Sequence, residues 1–132
     1  KKKIALLVTL VFLLGLVFDT NVEAASNGSL VGCTISIIAA TNGVRVSCIS
    51  KCTSDADEIG VMDVVLQEKK DGKWTSIDIK GGYERNASTY SGTVLYTGAV
   101  KGRTYRAYCT HYAKFGSTTQ TVDNETDELV YN

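Results

Sequence analysis

The pair Asn42-Gly43 stands between two runs, CTISIIAAT and VRVSCISKC, in which apolar residues recur at every second position. Period-two alternation is the signature of a half-buried strand. Asn-Gly is the preferred pair for a two-residue type I′ hairpin turn, because both of its positions need positive φ. A turn of that kind fixes register. It sets Thr41 opposite Val44, Ala39 opposite Val46, Ile37 opposite Cys48, Ile35 opposite Ser50 and Cys33 opposite Cys52. Ile35, Ile37, Ala39, Val44, Val46 and Cys48 then share one face, and Thr34, Ser36, Arg45, Ser47 and Lys51 take the other, as a sheet with one wet side requires.

A second hairpin obeys the same logic. VMDVVLQEKK and KWTSIDIK flank Asp71-Gly72, another type I′ pair, which places Leu66 opposite Ile77, Val64 opposite Ile79, Gln67 opposite Ser76 and Lys69 opposite Trp74. The apolar residues agree on a face and Trp74 is left outside. Further runs, TYSGTVLYTG, TYRAYCTHYAKF, STTQTV and ELVY, are separated by Gly, Lys or Asn breaks. Beyond residue 24 no stretch keeps helical spacing for three turns, so the pattern is all-β with about seven strands.

Residues 1–24 open with three lysines and an apolar run from Ile4 to Phe18, followed by small residues. This is the layout of a secretory signal peptide with a cut after Ala24, and the apolar run is shorter than the roughly 18 residues of a spanning helix. Residues 25–132 are then one domain of exported chain. Lys and Arg number 14 and Asp and Glu 14. That balance, with no basic cluster, argues against a nucleic-acid partner. The small-residue run SLVGC ending at Cys33 is similar to a lipidation signal, but it lies too far from the apolar run for an anchor, so the chain is expected to be secreted.

The four cysteines, Cys33, Cys48, Cys52 and Cys109, are an even set in a short exported chain, which reads as two disulfides. Zinc needs paired close ligands; here only Cys48 and Cys52 are close. Directly opposed residues in an antiparallel pair have Cα atoms about 5.5 Å apart, within disulfide range. Of the three connectivities the register favours Cys33 with Cys52 and Cys48 with Cys109, and a longer turn about Asn42-Gly43 would shift it.

On these strands the chain resembles an immunoglobulin or fibronectin type III two-sheet antiparallel β-sandwich. VVLQEKKDGKW resembles the C to C′ hairpin of fibronectin type III modules, and GRTYRAYC resembles the start of strand F. The resemblance implies that Tyr105 is a corner tyrosine, bonded back to backbone near the preceding turn, and that Cys48 and Cys109 form the inter-sheet bridge. Two features depart from immunoglobulin domains: Trp74 lies beyond the Asp-Gly turn, and Tyr105 precedes Cys109 by four positions rather than two. The leader and YRAYCTHYAKFGSTTQTV are similar to small secreted Gram-positive bacterial proteins without an assigned task, so the resemblance supplies no catalytic residues.

For function, the only histidine, His111, falls on the inward face of its strand beside Cys109, with Tyr105 and Ala107, where a structural role outweighs that of a base. Bridged cysteines leave no thiolate nucleophile, and no phosphate loop or metal-protease motif occurs. The acidic stretches SDADE, placed in a loop after the first hairpin, and DNETDE carry oxygens suited to calcium but lack its loop pattern. Sequons stand at Asn27, Asn86 and Asn124, where chance supplies about one, and in a bacterial protein they are expected to go unused. The chain is therefore expected to be non-enzymatic, without cofactor or metal. Trp74, Arg106, Tyr108 and Tyr112 are expected to face outward with Gln67 and Lys69, and such residues dominate contact surfaces. The expected role is a secreted binding module for an extracellular protein or cell-wall glycan. A bacteriocin-like toxin or an inhibitor of an extracellular enzyme is the alternative.

Overall fold

The second strand is the element that shapes this molecule. The structure, a computed structural model, describes residues 28–132; the leader expected over 1–24 lies outside them. The strands are β1 (Leu30–Ala40), β2 (Gly43–Lys70), β3 (Lys73–Ile79), β4 (Gly82–Tyr96), β5 (Thr104–Phe115), β6 (Thr118–Glu125) and β7 (Leu129–Val130). All pairings are antiparallel and belong to one sheet. The sequence predicts a loop at SDADE, yet β2 runs unbroken through it. At about 3.3 Å per residue a straight strand of that length would reach about 90 Å, far more than a domain of this size spans. It therefore bends, at register shifts between Lys51 and Ala56 against β4 and between Met62 and Val65 against β5. Asp63, within the second shift, has φ of 51°. Extra residues of this kind raise local twist and let a strand turn a corner.

The consequence is a half-barrel rather than two separate sheets. Residues 44–51 of β2 lie between β1 and β4, while 65–69 lie between β3 and β5. One strand serves both layers, and the sheet curls around the side chains between them. Val44, Val46, Cys48, Val61, Val64, Leu66, Tyr105, Ala107, Cys109 and Tyr131 fill the main core, and Ala56, Ile59, Ala113 and Phe115 fill a smaller one.

The first hairpin differs from the sequence expectation. Its turn is Thr41-Asn42, with Ala40 opposite Gly43, so Ile37 faces Val46, Ile35 faces Cys48, Cys33 faces Ser50 and Leu30 faces Cys52. A shift of two residues keeps every side chain on its face and changes every partner. Gly43 is needed for something else: it lies extended in β2, and a Cβ there would run into the carbonyl of Tyr96 on β4. Cys33 and Cys52 are thus diagonal neighbours on one face, not opposed. The second hairpin has the expected register, Val64 with Ile79, Leu66 with Ile77, Gln67 with Ser76 and Lys69 with Trp74. Asp71 and Gly72 have φ of 51° and 75°, the left-handed pair of a type I′ turn.

On β5, Tyr105, Ala107, Cys109 and His111 are all buried, as the alternation requires. The Tyr105 hydroxyl accepts from the Val100 N–H at 2.7 Å and donates to Glu68 Oε2 at 2.6 Å. The first of these ties the hydroxyl back to the backbone of the segment that precedes β5. Burial and the Glu68 bond push the phenol up to about 12.

The curled sheet brings two pairs of edges together. At one seam β1 meets β6 through side chains: Gln120 Oε1 accepts from the Leu30 N–H and its Nε2 donates to the Gly28 carbonyl, both at 2.8 Å. Asn124 Nδ2 donates to the Cys33 carbonyl at 3.1 Å. At the other seam β3 and β4 each pair only with β2. A groove of about 300 Å³ remains between them, over Val46, Cys48, Val61, Val64, Ile79 and Tyr90.

Candidate functional site

The register of β3, β2 and β5 sets their outward residues in rows. Trp74, Lys69 and Thr104 make one row, Ser76, Gln67 and Arg106 the next, and Asp78, Val65 and Tyr108 a third. Alternation alone puts these side chains on the outer face. The long side chains then close on one another. The Arg106 guanidinium carbon sits 4.0 Å from the Trp74 ring centroid and the Lys69 ammonium 5.5 Å from it. Arg106 Nε donates to Gln67 Oε1 at 2.7 Å, and Gln67 Nε2 donates to Ser76 Oγ at 3.2 Å.

This arrangement has chemical content. A cation over an indole face is attracted by the ring quadrupole, and the Gln67 bond fixes the guanidinium plane through Nε. Its Nη groups have no partner among the described residues, so they are available to a carboxylate in fork geometry. Tyr108, 38% exposed, lies one row away, opposite Val65 and Glu125. Trp74, Arg106 and Tyr108 thus share a face with Gln67 and Lys69.

Tyr112 belongs elsewhere. It has the expected outward parity, but only 8% of it is exposed, and the β2 irregularity at Met62–Val65 separates it from Tyr108. Its hydroxyl donates to Glu58 Oε1 at 2.6 Å, and the Lys114 ammonium lies 5.7 Å from its ring centroid. Glu58 also faces Lys114 at 3.4 Å and Arg85 at 3.9 Å. The Tyr112 bond, then these cations, hold the Glu58 carboxyl below its ordinary range. Burial and the same bond push the Tyr112 phenol up. The aromatic face expected as one patch is therefore two groups.

Inside the sheet a polar chain crosses the core. Cys48 Sγ is 3.9 Å from Cys109 Sγ, Cys109 Sγ is 3.4 Å from His111 Nε2, and His111 Nδ1 is 2.7 Å from Ser50 Oγ, which donates to the Gly60 carbonyl at 3.0 Å. One proton assignment satisfies it throughout: Cys48 gives to Cys109, Cys109 to Nε2, Nδ1–H to Ser50, and Ser50 to the carbonyl. His111 is neutral in that assignment, and burial lowers its pKa in the same sense. The bond with Cys109 pulls the Cys48 thiol down, and the same bond and burial push the Cys109 thiol up. His111 and Ser50 are 0% exposed, so no substrate reaches the imidazole. The sequence reading places His111 and Cys109 inward but misses Ser50. A lone Ser following Val46 and Cys48 on the apolar face of β2 is the signal that marks it.

The remaining sequence candidates are dispersed. The four cysteines are thiols, and burial pushes those of Cys33 and Cys52 up. Asp55 and Asp57 of SDADE are exposed along β2, with Asp57 accepting from the Gly116 N–H at 2.6 Å. In DNETDE, Asp123 accepts from Thr110 Oγ1 at 2.8 Å. Among the described residues no three His, Cys, Asp or Glu converge as metal ligands. Asn86 is exposed, Asn124 is bound to Cys33, and Asn27 lies outside the described residues. No family model, curated protein or solved structure matches the chain.

Proposed function

We propose that this chain is a secreted, non-enzymatic binding module that recognises an extracellular protein or cell-wall glycan through the outer face of β3, β2 and β5. The carrying observation is Trp74, stacked by Arg106 at 4.0 Å and flanked by Lys69. An indole with two cations over its ring buries apolar area while the guanidinium takes a carboxylate, the combination found at contact hot spots. Tyr108 extends the contact, and Tyr112 stiffens the neighbouring part of the sheet. The burial of His111, the only histidine, supports the absence of catalysis. In the exported form the proposal includes an immunoglobulin-like bridge between Cys48 and Cys109, supported by sulfurs 3.9 Å apart across the core. A second bridge between Cys33 and Cys52 is left for the remaining pair.

Trp74 is the only tryptophan, so its fluorescence reports the face directly. Titration with soluble cell-wall fragments and with proteins from the extracellular fluid of the producing culture should shift that emission saturably. Trp74→Ala and Arg106→Ala should each weaken capture at least tenfold while the far-ultraviolet spectrum is unchanged. Full capture by a folded Trp74→Ala, Arg106→Ala double variant would reject the site.

A further inference from the structure

A strand edge with unpaired N–H and C=O groups is a template for another strand, and proteins guard such edges with charges, bulges or covering segments. β4 has one paired side, toward β2 along its whole length. No backbone hydrogen bond reaches its other side among the described residues. Its two halves differ. The first half carries Glu84, Arg85 and Asn86, the last with φ of 50°, which together guard the edge by charge and by a break in regular pleat. The second half, Thr89 to Tyr96, reads TYSGTVLY, with no charge, no proline and no positive φ. β1 is as poor in charge, but Gln120 and Asn124 bond to its edge.

The inner face at this edge is also incompletely covered. Val94 pairs with Val46 and points toward the core side, yet it is 38% exposed, because it borders the groove between β3 and β4. The side chains that would cover it are specified by the strand's own sequence. Antiparallel pairing of TYSGTVLY with a second TYSGTVLY, centred on Gly92, puts Tyr90 opposite Val94 on the groove face. On the outer face it puts Ser91 opposite Thr93 and Thr89 opposite Leu95. Aromatic with β-branched and hydroxyl with hydroxyl are favourable cross-strand pairs, no like charges meet, and the residue at the two-fold axis has no side chain.

We propose that the occupant of this edge is a second copy of the chain, joined β4 to β4 in a symmetric dimer with a sheet continuous through both copies. The contact is isologous, as two-fold symmetry demands, and small, in the class of weak, transient interfaces. The dimer presents two Trp74 faces to one target and raises apparent affinity for a repetitive surface. The dimer itself does not depend on what those faces bind.

Sedimentation equilibrium of the purified protein over micromolar to submillimolar concentration tests this. The parent should pass from monomer to dimer. A double variant S91K/T93K sets two pairs of like charges opposite each other, and the dimer should weaken about tenfold. The charge-reversed S91K/T93E should restore it. Ser91 and Thr93 are both exposed, and circular dichroism confirms that each variant is folded. A parent that stays monomeric throughout would overturn the proposal and leave the edge to a foreign extended peptide. Equal dimerisation of parent and S91K/T93K would also overturn it, by moving the contact to another surface.

Discussion

The two seams of this half-barrel are built from similar strands and end differently. Where β1 approaches β6, no ladder joins the edges, but Gln120 reaches both a donor and an acceptor on residues 28 and 30, and Asn124 reaches the Cys33 carbonyl. Where β3 approaches β4, the groove is lined by Ile79, Lys80, Gly81, Tyr90, Gly92, Thr93 and Val94, and no side-chain hydrogen bond among the described residues joins the two strands. The seam stays open as a groove whose floor reaches Cys48. Side-chain amide chemistry, not strand propensity, decides which edge is sealed. Between the seams stands the polar chain from Cys48 to the Gly60 carbonyl, which ties the two layers together inside.

That contrast is open to direct attack, beginning with the interior. With the cysteines as thiols, His111→Ala removes a fully buried ring and takes a partner from Cys109 and from Ser50, so chemical denaturation under reducing conditions should show a loss of about 3–5 kcal/mol. A loss under about 1 kcal/mol would show that the chain does not join the layers. At the sealed seam, Gln120→Ala leaves the Leu30 N–H and the Gly28 carbonyl without their partner and should cost about 1–2 kcal/mol. At the open edge, Ser91→Lys measured in dilute solution should change stability by no more than about 0.5 kcal/mol. Equal costs at the two edges would erase the distinction.

Titration probes two buried groups of β5. Native His111 is held neutral below its ordinary 6.5, so the unfolded chain binds the extra proton first. Stability is fully present above that value and lost as pH falls below it. As the only histidine, it should account for the unfolding slope between pH 7 and 5, which His111→Ala should remove. Tyr105 shifts the other way, from 10 to about 12. Its contribution is present below pH 10 and lost as pH rises toward 12, and Tyr105→Phe should reduce the alkaline loss, leaving the part that the raised Tyr112 and Tyr90 phenols contribute.

Much of this was legible in the sequence where alternation and turn chemistry agree. Asp71-Gly72 supplies both left-handed positions, so the β2–β3 register and the Trp74 row follow from it, and Arg106 reaches that row because 105, 107, 109 and 111 point inward together. The first hairpin was not legible, because Gly43 answers to the backbone of Tyr96, a strand more than 50 positions away. SDADE has the composition of a loop but pairs with β4 at Ala56 and with β4 and β5 at Glu58, beside the buried Ile59, and local composition does not carry that long-range support. Tyr112 has the parity of a contact residue, and only the convergence of Glu58, Arg85 and Lys114 in space explains its burial.

Amide hydrogen exchange resolved by residue at two protein concentrations tests the central claim, that one seam is sealed and the other is held open for a second copy. In dilute solution alternate amides of Thr89–Tyr96 should exchange quickly while the Leu30 amide, bonded to Gln120, is protected. At high concentration the β4 amides alone should gain protection. Fast exchange of β4 at every concentration, or concentration-dependent protection of β1 instead, would contradict the account.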